Sequence, residues 1–159
     1  MDERQMRHLV ATAPVGRLAT VDADGRPHLV PVCFALLDTT AYSAIDHKPK
    51  TTTQLRRLQN LRDTGVACLL VDHYEADWSR LWWVRLDGVG RVLASGAEPG
   101  SDQHTERQQA LDALSTKYQQ YTERPPTGPV LALDVTTWRG WSAQPAGSAT
   151  SSTANDCWT

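Results

Sequence analysis

The stretch GRLATVDADGRPHLVPVCFALL, residues 16–37, decides the fold that the sequence predicts. A strand over 16–21, a turn at Gly25 and a second strand over 27–37 form the pattern of a β-hairpin. Pro27 and Pro31 remove backbone donors, so the second strand is expected to be bulged or partly unpaired there. The bare backbone that results, over 30–33, fits either an edge strand or the close approach of a ligand.

Outside this hairpin, the pattern predicts four further strands and three helices. The strands are expected over 41–46, 66–73, 81–95 and 130–142, and the helices over 2–13, 51–62 and 102–121. Six strands without regular βαβ alternation favour a mostly antiparallel barrel with helices on its flank. One domain is expected over residues 1–142, and the Ser/Thr/Ala-rich tail over 143–159 is expected to be disordered.

Composition excludes several classes of function. The chain has 16 Lys and Arg against 18 Asp and Glu, which argues against nucleic-acid binding. The longest apolar runs, such as VACLLV at 66–71, are far too short to span a membrane. The charged N-terminus lacks the apolar core of a signal peptide, and three cysteines without a CxxC pair fit a reducing cytoplasm. Five scattered histidines lack metal-ligand spacing, so no metal site is expected.

A cluster of cations lies in IDHKPKTTTQLRRLQN, residues 45–60. On a helix over 51–62, Arg57 borders the apolar face and Arg56 points nearly opposite, toward solvent. Lys48 and Lys50 lie in the preceding loop. A compact anion such as a phosphate would account for this cluster at a helix start. The alternative is that all four are solvated surface charges.

The second unusual segment is DWSRLWWVRLDG, residues 77–88. On a strand, Trp82 shares an apolar face that would look into the barrel. Trp83 shares the opposite face with Arg85 and Asp87, and a large aromatic beside an ion pair suggests a subunit interface there. The alternative for both tryptophans is plain core packing, which suits Trp82 better than Trp83.

Taken together, these segments resemble a known family. GRLATVDADGRPHLVPVCFAL, LRRLQNLRDTGVACLLVD and RLWWVRLDGVGRV are similar to the flavin and deazaflavin split-barrel proteins related to pyridoxamine 5′-phosphate oxidase. The DHKPK and DWSRLWWVR segments resemble the branch of coenzyme F420-dependent oxidoreductases. The resemblance covers about residues 5–142, and it implies a six-stranded split β-barrel that forms a homodimer with two cofactor sites between the subunits.

The resemblance also implies a set of cofactor-binding residues. The phosphate would be held at the helix start by Lys50, Arg56 and Arg57. The ring system would lie along the second strand, and the partner subunit would contribute an aromatic side chain. The matching positions are Val30, Pro31, Val32 and Cys33 for the ring, and Trp82 or Trp83 for the aromatic. The sequence RDTGVA replaces the family's usual Asp-Pro-Arg turn after the helix, which leaves the phosphate site one basic residue short.

The leading expectation is an oxidoreductase that transfers a hydride between reduced coenzyme F420 and a small unsaturated organic substrate. One alternative keeps the fold and the enzyme but places FMN in the site. Another is a carrier that holds a flavin, a deazaflavin or a haem-derived ligand without turnover. The resemblance supplies no catalytic acid at any position of this chain.

Overall fold

The computed structural model describes residues 1–45 and 55–143, in which seven strands form one antiparallel sheet. The strands are β1 (Gly16–Val21), β2 (Pro27–Val32), β3 (Ala35–Leu37), β4 (Thr40–Ala44), β5 (Val66–His73), β6 (Trp82–Leu93) and β7 (Val130–Ser142). The helices are α1 (Glu3–Thr12), α2 (Arg56–Asp63), α3 (Asp102–Lys117) and α4 (Gln119–Glu123), with a 3₁₀ turn at Trp78–Arg80. Among the described residues, no helix has the length and apolarity needed to cross a membrane.

The sheet curls until its two edges are neighbours. Its strand order is β2-β1-β5-β6-β7-β4-β3, so β2 and β3 are the two edges, yet only Cys33 and Phe34 separate them in the chain. This confirms a mostly β, antiparallel barrel with flanking helices. The strand count differs from the prediction because the segment 27–37 changes edges at Cys33 and becomes two strands.

The prolines of β2 do not disturb its pairing with β1. The register runs unbroken from Val21 opposite Pro27 to Gly16 opposite Val32, so the bulge expected at the prolines does not form. An edge strand can accept proline because one of its two sides needs no ladder donors. The bare backbone of β2 is therefore explained by its place at the edge of the sheet.

Tyr118 holds the junction between the two edges. The helix predicted over 102–121 breaks there, because the backbone of Tyr118 is extended between α3 and α4. Its hydroxyl accepts the N–H of Phe34 at 2.9 Å and lies 2.8 Å from the carbonyl oxygen of Phe34 and 2.9 Å from that of Pro14. The break thus places the phenol where the chain crosses between the edges.

Two helices close opposite ends of the barrel. A Cβ at Gly140, which pairs with Val84, would lie 2.8 Å from the sulfur of Met6 on α1. A Cβ at Gly90 would lie 2.3 Å from a methyl of Leu61 on α2. Val84, the partner of Gly140, and Gly90 are six residues apart on β6. The contacts of α1 and α2 with the sheet therefore lie about 20 Å apart along that strand.

Several predicted bounds are confirmed, and others move by a few residues. The strands over 66–73 and 130–142 agree with β5 and β7. The bend expected in β6 corresponds to a register shift between Asp87 and Gly88. A Cβ at Gly88 would lie 2.1 Å from the carbonyl oxygen of Asp134. Of the tail predicted over 143–159, residues 144–159 lie outside the described residues.

Candidate functional site

The cationic end of α2 begins later than the sequence predicts. Leu55 is the N-cap, with an extended backbone and no side-chain capping hydrogen bond, so the start predicted at residue 51 with a Thr cap is wrong. Arg56 and Arg57 consequently lie in the first turn. The predicted Lys48 and Lys50 lie outside the described residues.

The first turn of α2 carries positive charge at the positive end of the helix dipole. It contains no acidic residue, Arg56 is exposed and Arg57 is half-buried at the border of the apolar face, as predicted. A cation placed there costs about 0.3–1 kcal/mol, whereas an anion bound there is stabilised by the dipole and by both guanidinium groups. This end of α2 is therefore suited to hold an anion.

A histidine of β2 joins the two arginines. The side-chain amide of Asn60 on α2 donates to the Thr20 hydroxyl at 3.0 Å, and both residues are buried. Thr20 lies directly opposite His28 in the β1–β2 ladder, so the two side chains share a face of the sheet. Arg56 and Arg57 precede Asn60 by one helical turn and share its side of α2. The register and the hydrogen bond together bring His28 to the two arginines.

The surroundings of His28 disfavour its protonated form. Burial, and then the charges of Arg56 and Arg57, lower the pKa of the imidazole below its ordinary value. The buried Nδ1 has no hydrogen-bond partner among the described residues. Sequence reasoning missed His28, although its alternation with Val30 and Val32 along β2 was a signal that it faces inward.

The four residues expected along the cofactor ring do not share one face of β2. Val32 is buried and Val30 packs against the main apolar cluster, whereas Pro31 is exposed on the opposite face. Cys33 is half-buried just beyond the strand end. From His28 to Cys33 the edge strand extends about 17 Å. An elongated ligand lying along this edge would meet the cations at one end and Cys33 at the other.

A buried amine lies beside Cys33. The Nζ of Lys117 is 4.1 Å from the ring centroid of Phe34 and has no hydrogen-bond partner in the described part of the chain. Burial lowers the pKa of Lys117 to about 8, and the neighbouring Cys33 partly opposes that change. Burial also raises the pKa of Tyr118 to about 12. Sequence reasoning had no signal for Lys117, because Cys33 and Phe34, which lie beside its amine, are more than 80 positions away.

The structure keeps Trp82 and Trp83 apart from the arginines within one chain. Trp82 faces inward, as predicted, where it packs against the main apolar cluster and stacks on His73 at 6.4 Å between ring centroids. Trp83 faces outward. Both lie about 23–26 Å along β6 from Gly90, the level at which α2 packs.

A groove of about 510 Å³ runs over the outward face of β1, β5 and β6. Trp83 and Arg85 lie in it, with an ion pair between Arg17 and Asp72. The remaining lining residues are Ala19, Leu29, Cys68, Leu70 and Tyr74. Leu29 and Tyr74 are 64% and 65% exposed, so the groove has apolar margins. Over residues 1–45 and 55–143, no group of three or more potential metal ligands comes together.

Comparison with known proteins gives a family and a fold. The family model described as pyridoxamine 5′-phosphate oxidase matches residues 2–142, and no curated protein matches the chain. A conserved hypothetical protein of Mycobacterium tuberculosis has a TM-score of 0.69 at 20% identity, covering 97% of this chain and 95% of that one. An FAD-binding protein of Mesorhizobium loti has a TM-score of 0.64 at 18% identity, covering 88% and 94%. A haem storage protein of Vibrio cholerae has a TM-score of 0.63 at 16% identity, covering 88% and 93%.

Proposed function

The chain belongs to the pyridoxamine 5′-phosphate oxidase family, and from this premise we propose that it is a cofactor-dependent oxidoreductase. The reaction that we propose is hydride transfer between reduced coenzyme F420 and a small unsaturated organic substrate. The observation that carries the proposal is the convergence of Arg56, Arg57 and His28 at the first turn of α2. Two cations at the positive end of a helix are costly unless an anion, such as a cofactor phosphate, is bound there.

Each part of the site has a proposed task. Arg56 and Arg57, with Lys48 and Lys50 from the preceding segment, bind the phosphate. The edge of β2 from Val30 to Cys33 positions the ring of the cofactor. When bound, the cofactor supplies hydride transfer at its ring, and the protein contributes orientation and the exclusion of water.

FMN is the alternative cofactor on the same site. Both cofactors pair a phosphate with a flat ring system, so the cationic end and the β2 edge suit either one. The FAD-binding protein that shares the fold supports a flavin-type ligand in general. The choice between deazaflavin and flavin therefore rests on direct binding measurements.

We propose that the active form is a homodimer. Within one chain, Trp83 lies far from Arg57, whereas a second copy packed on the outward groove would add an aromatic wall to the partner's site. The groove offers apolar margins as well as charges of both signs, in Arg17 and Asp72, and a self-complementary two-fold contact needs both.

A carrier without turnover is a second candidate function. The haem storage protein that shares the fold makes haem a ligand to test, beside flavin and deazaflavin. An enzyme and a carrier differ in one observable. In the enzyme, an added acceptor oxidises the reduced cofactor at a rate that the protein accelerates, whereas in a carrier the rate is unchanged.

The deciding experiment is a tryptophan fluorescence titration with coenzyme F420, FMN and haemin, each in a separate series. We expect saturable binding of F420, weaker binding of FMN, and loss of both in an Arg56→Ala/Arg57→Ala double variant. A preference for FMN would replace the deazaflavin with a flavin. Absence of binding by both cofactors would overturn the proposal, and binding of haemin alone would favour the carrier.

A further inference from the structure

His28 lies in a cationic site. The charges that face it come from α2, as Arg56 and Arg57, while its neighbour across the β1–β2 ladder is the uncharged Thr20. The side chain of Thr20 is in turn fixed by Asn60 at 3.0 Å. Among the described residues, Arg56 and Arg57 are the only charges that shift the pKa of His28, and the buried Nδ1 has no hydrogen-bond partner.

We propose that His28 is a third ligand of the bound anion and that it takes up one proton from solvent when the anion binds. This inference rests on the proposed function, because it concerns the phosphate end of that same site. An anion between the two guanidinium groups and the imidazole would offset the repulsion that, after burial, lowers the pKa of His28. It would also accept a hydrogen bond from the ring N–H, which favours the protonated form.

The consequence is a binding affinity that depends on pH. Between the two midpoints, the occupied site binds more protons at His28 than the empty site does. Over the interval between the two midpoints, the dissociation constant of the anion increases about tenfold for each unit of rising pH. His28 would thereby adjust the charge of the site to the charge of the anion, an effect larger for a dianion than for a singly charged phosphodiester.

Sulfate is the probe that separates the protein's titration from the ligand's, because it stays a dianion throughout the range tested. The C–H resonances of the five histidines are followed by proton NMR from pH 5 to 8.5, with sulfate and with chloride at equal ionic strength. We expect the midpoint of His28 to rise by about one pH unit in sulfate, which corresponds to a tenfold change in affinity. His28→Gln assigns the resonance, and His28→Asn is a second variant in case the first one fails to fold.

His8 is the matched control, because it is exposed on α1 at the opposite end of the barrel. The pH profile of sulfate binding in His8→Gln should match that of the unsubstituted chain. In His28→Gln, sulfate affinity should vary less than twofold between pH 6 and 7.5, against about three- to fourfold in the unsubstituted chain. Sulfate or cofactor binding with an unmoved His28 midpoint would overturn this inference and leave the proposed function standing. Failure of sulfate, F420 and FMN to bind at any pH would overturn both.

Discussion

At the scale of single residues, Arg57 and Arg56 should differ in their contribution to cofactor binding. Arg57 is half-buried at the edge of α2, whereas Arg56 is exposed. We expect Arg57→Ala to weaken binding by about 1–3 kcal/mol, typical of a lost charge-assisted hydrogen bond, and Arg56→Ala to weaken it less. Fluorescence titration of both variants with F420 and FMN measures the difference.

Arg62 provides the control for that comparison. It is an exposed arginine in the last turn of the same helix, so Arg62→Ala removes equal charge away from the site. The cofactor affinity of the Arg62→Ala variant should stay close to that of the unsubstituted chain. Equal losses in all three variants would mean that only the net charge of the helix matters, and no loss in any would make the cluster a solvated surface.

Lys117 should destabilise the fold at neutral pH. Its pKa in the folded state, about 8, lies below its ordinary value, so the unfolded chain binds more protons between about pH 8 and 10.5. The free energy of unfolding therefore rises with pH through that window, and the full penalty applies below pH 8. Allowing for partial exposure, we expect Lys117→Met to raise that free energy by about 1–2 kcal/mol at pH 7.

Urea denaturation at pH 7 and pH 10 measures both parts of this prediction. The gain from Lys117→Met should fall toward zero at pH 10, where the amine is neutral in the folded state. Lys117→Arg keeps the charge and should not stabilise. A destabilised Met variant at pH 7 would show that the contact with the Phe34 ring outweighs the cost of burial.

The contrast between these residues shows what a sequence reveals about a site. The exposure of Arg56 and Arg57 followed from helical periodicity alone, because one turn of helix determines which neighbour faces the core. The roles of His28 and Lys117 depend on partners 28 and 84 positions away, Arg56 and Cys33 respectively. Local patterns carry no information about such partners, so these roles became visible only in the folded chain.

At the scale of elements, the split between β2 and β3 depends on Tyr118. Tyr118→Phe leaves the N–H of Phe34 without its acceptor and removes a donor to the nearby carbonyl groups. We expect a loss of about 1–3 kcal/mol in the free energy of unfolding, as for a buried polar group left unsatisfied. Tyr121→Phe is the comparison variant. It makes the same substitution three residues away, in α4.

Hydrogen exchange locates the effect of that change. The amide of Phe34 should exchange much faster in Tyr118→Phe, while amides in the centre of β5 and β6 should change only with global stability. Uniform acceleration throughout the sheet would contradict a local role for Tyr118 at the split.

Elements were predictable where a local pattern determines them. The β1–β2 hairpin, β5 and β7 follow from alternation and turn residues, and their bounds agree with the structure to within a few positions. The division of 27–37 and the break at Tyr118 follow instead from a contact between two distant segments. Likewise, α2 begins at Arg56 because Leu55 takes an extended backbone. The spacing of hydrophobic residues in the sequence does not reveal that conformation.

At the scale of the whole molecule, one chain presents a cationic end and a separate outward groove. The level of Trp83 on β6 is about 23 Å from that of Gly90, where α2 packs, so a single copy does not surround a ligand with both features. A homodimer contacting through the groove would bury Trp83 and the apolar margins at Leu29 and Tyr74. The association state is therefore a direct test of how the site is completed.

We expect the unsubstituted chain to sediment at twice the 17.6 kDa of one chain, and Trp83→Glu to sediment as a monomer. A buried, unpaired carboxylate at the centre of a two-fold contact is repeated on both copies, which makes it strongly destabilising. Val89→Glu is the control, because Val89 is an exposed apolar residue of the same strand outside the groove. If the partner completes the site, the Trp83 variant loses cofactor affinity together with its dimer, although Arg56, Arg57 and His28 are unchanged. A dimeric Trp83→Glu would place the interface elsewhere, and a monomer with full cofactor affinity would show that one chain holds the whole site.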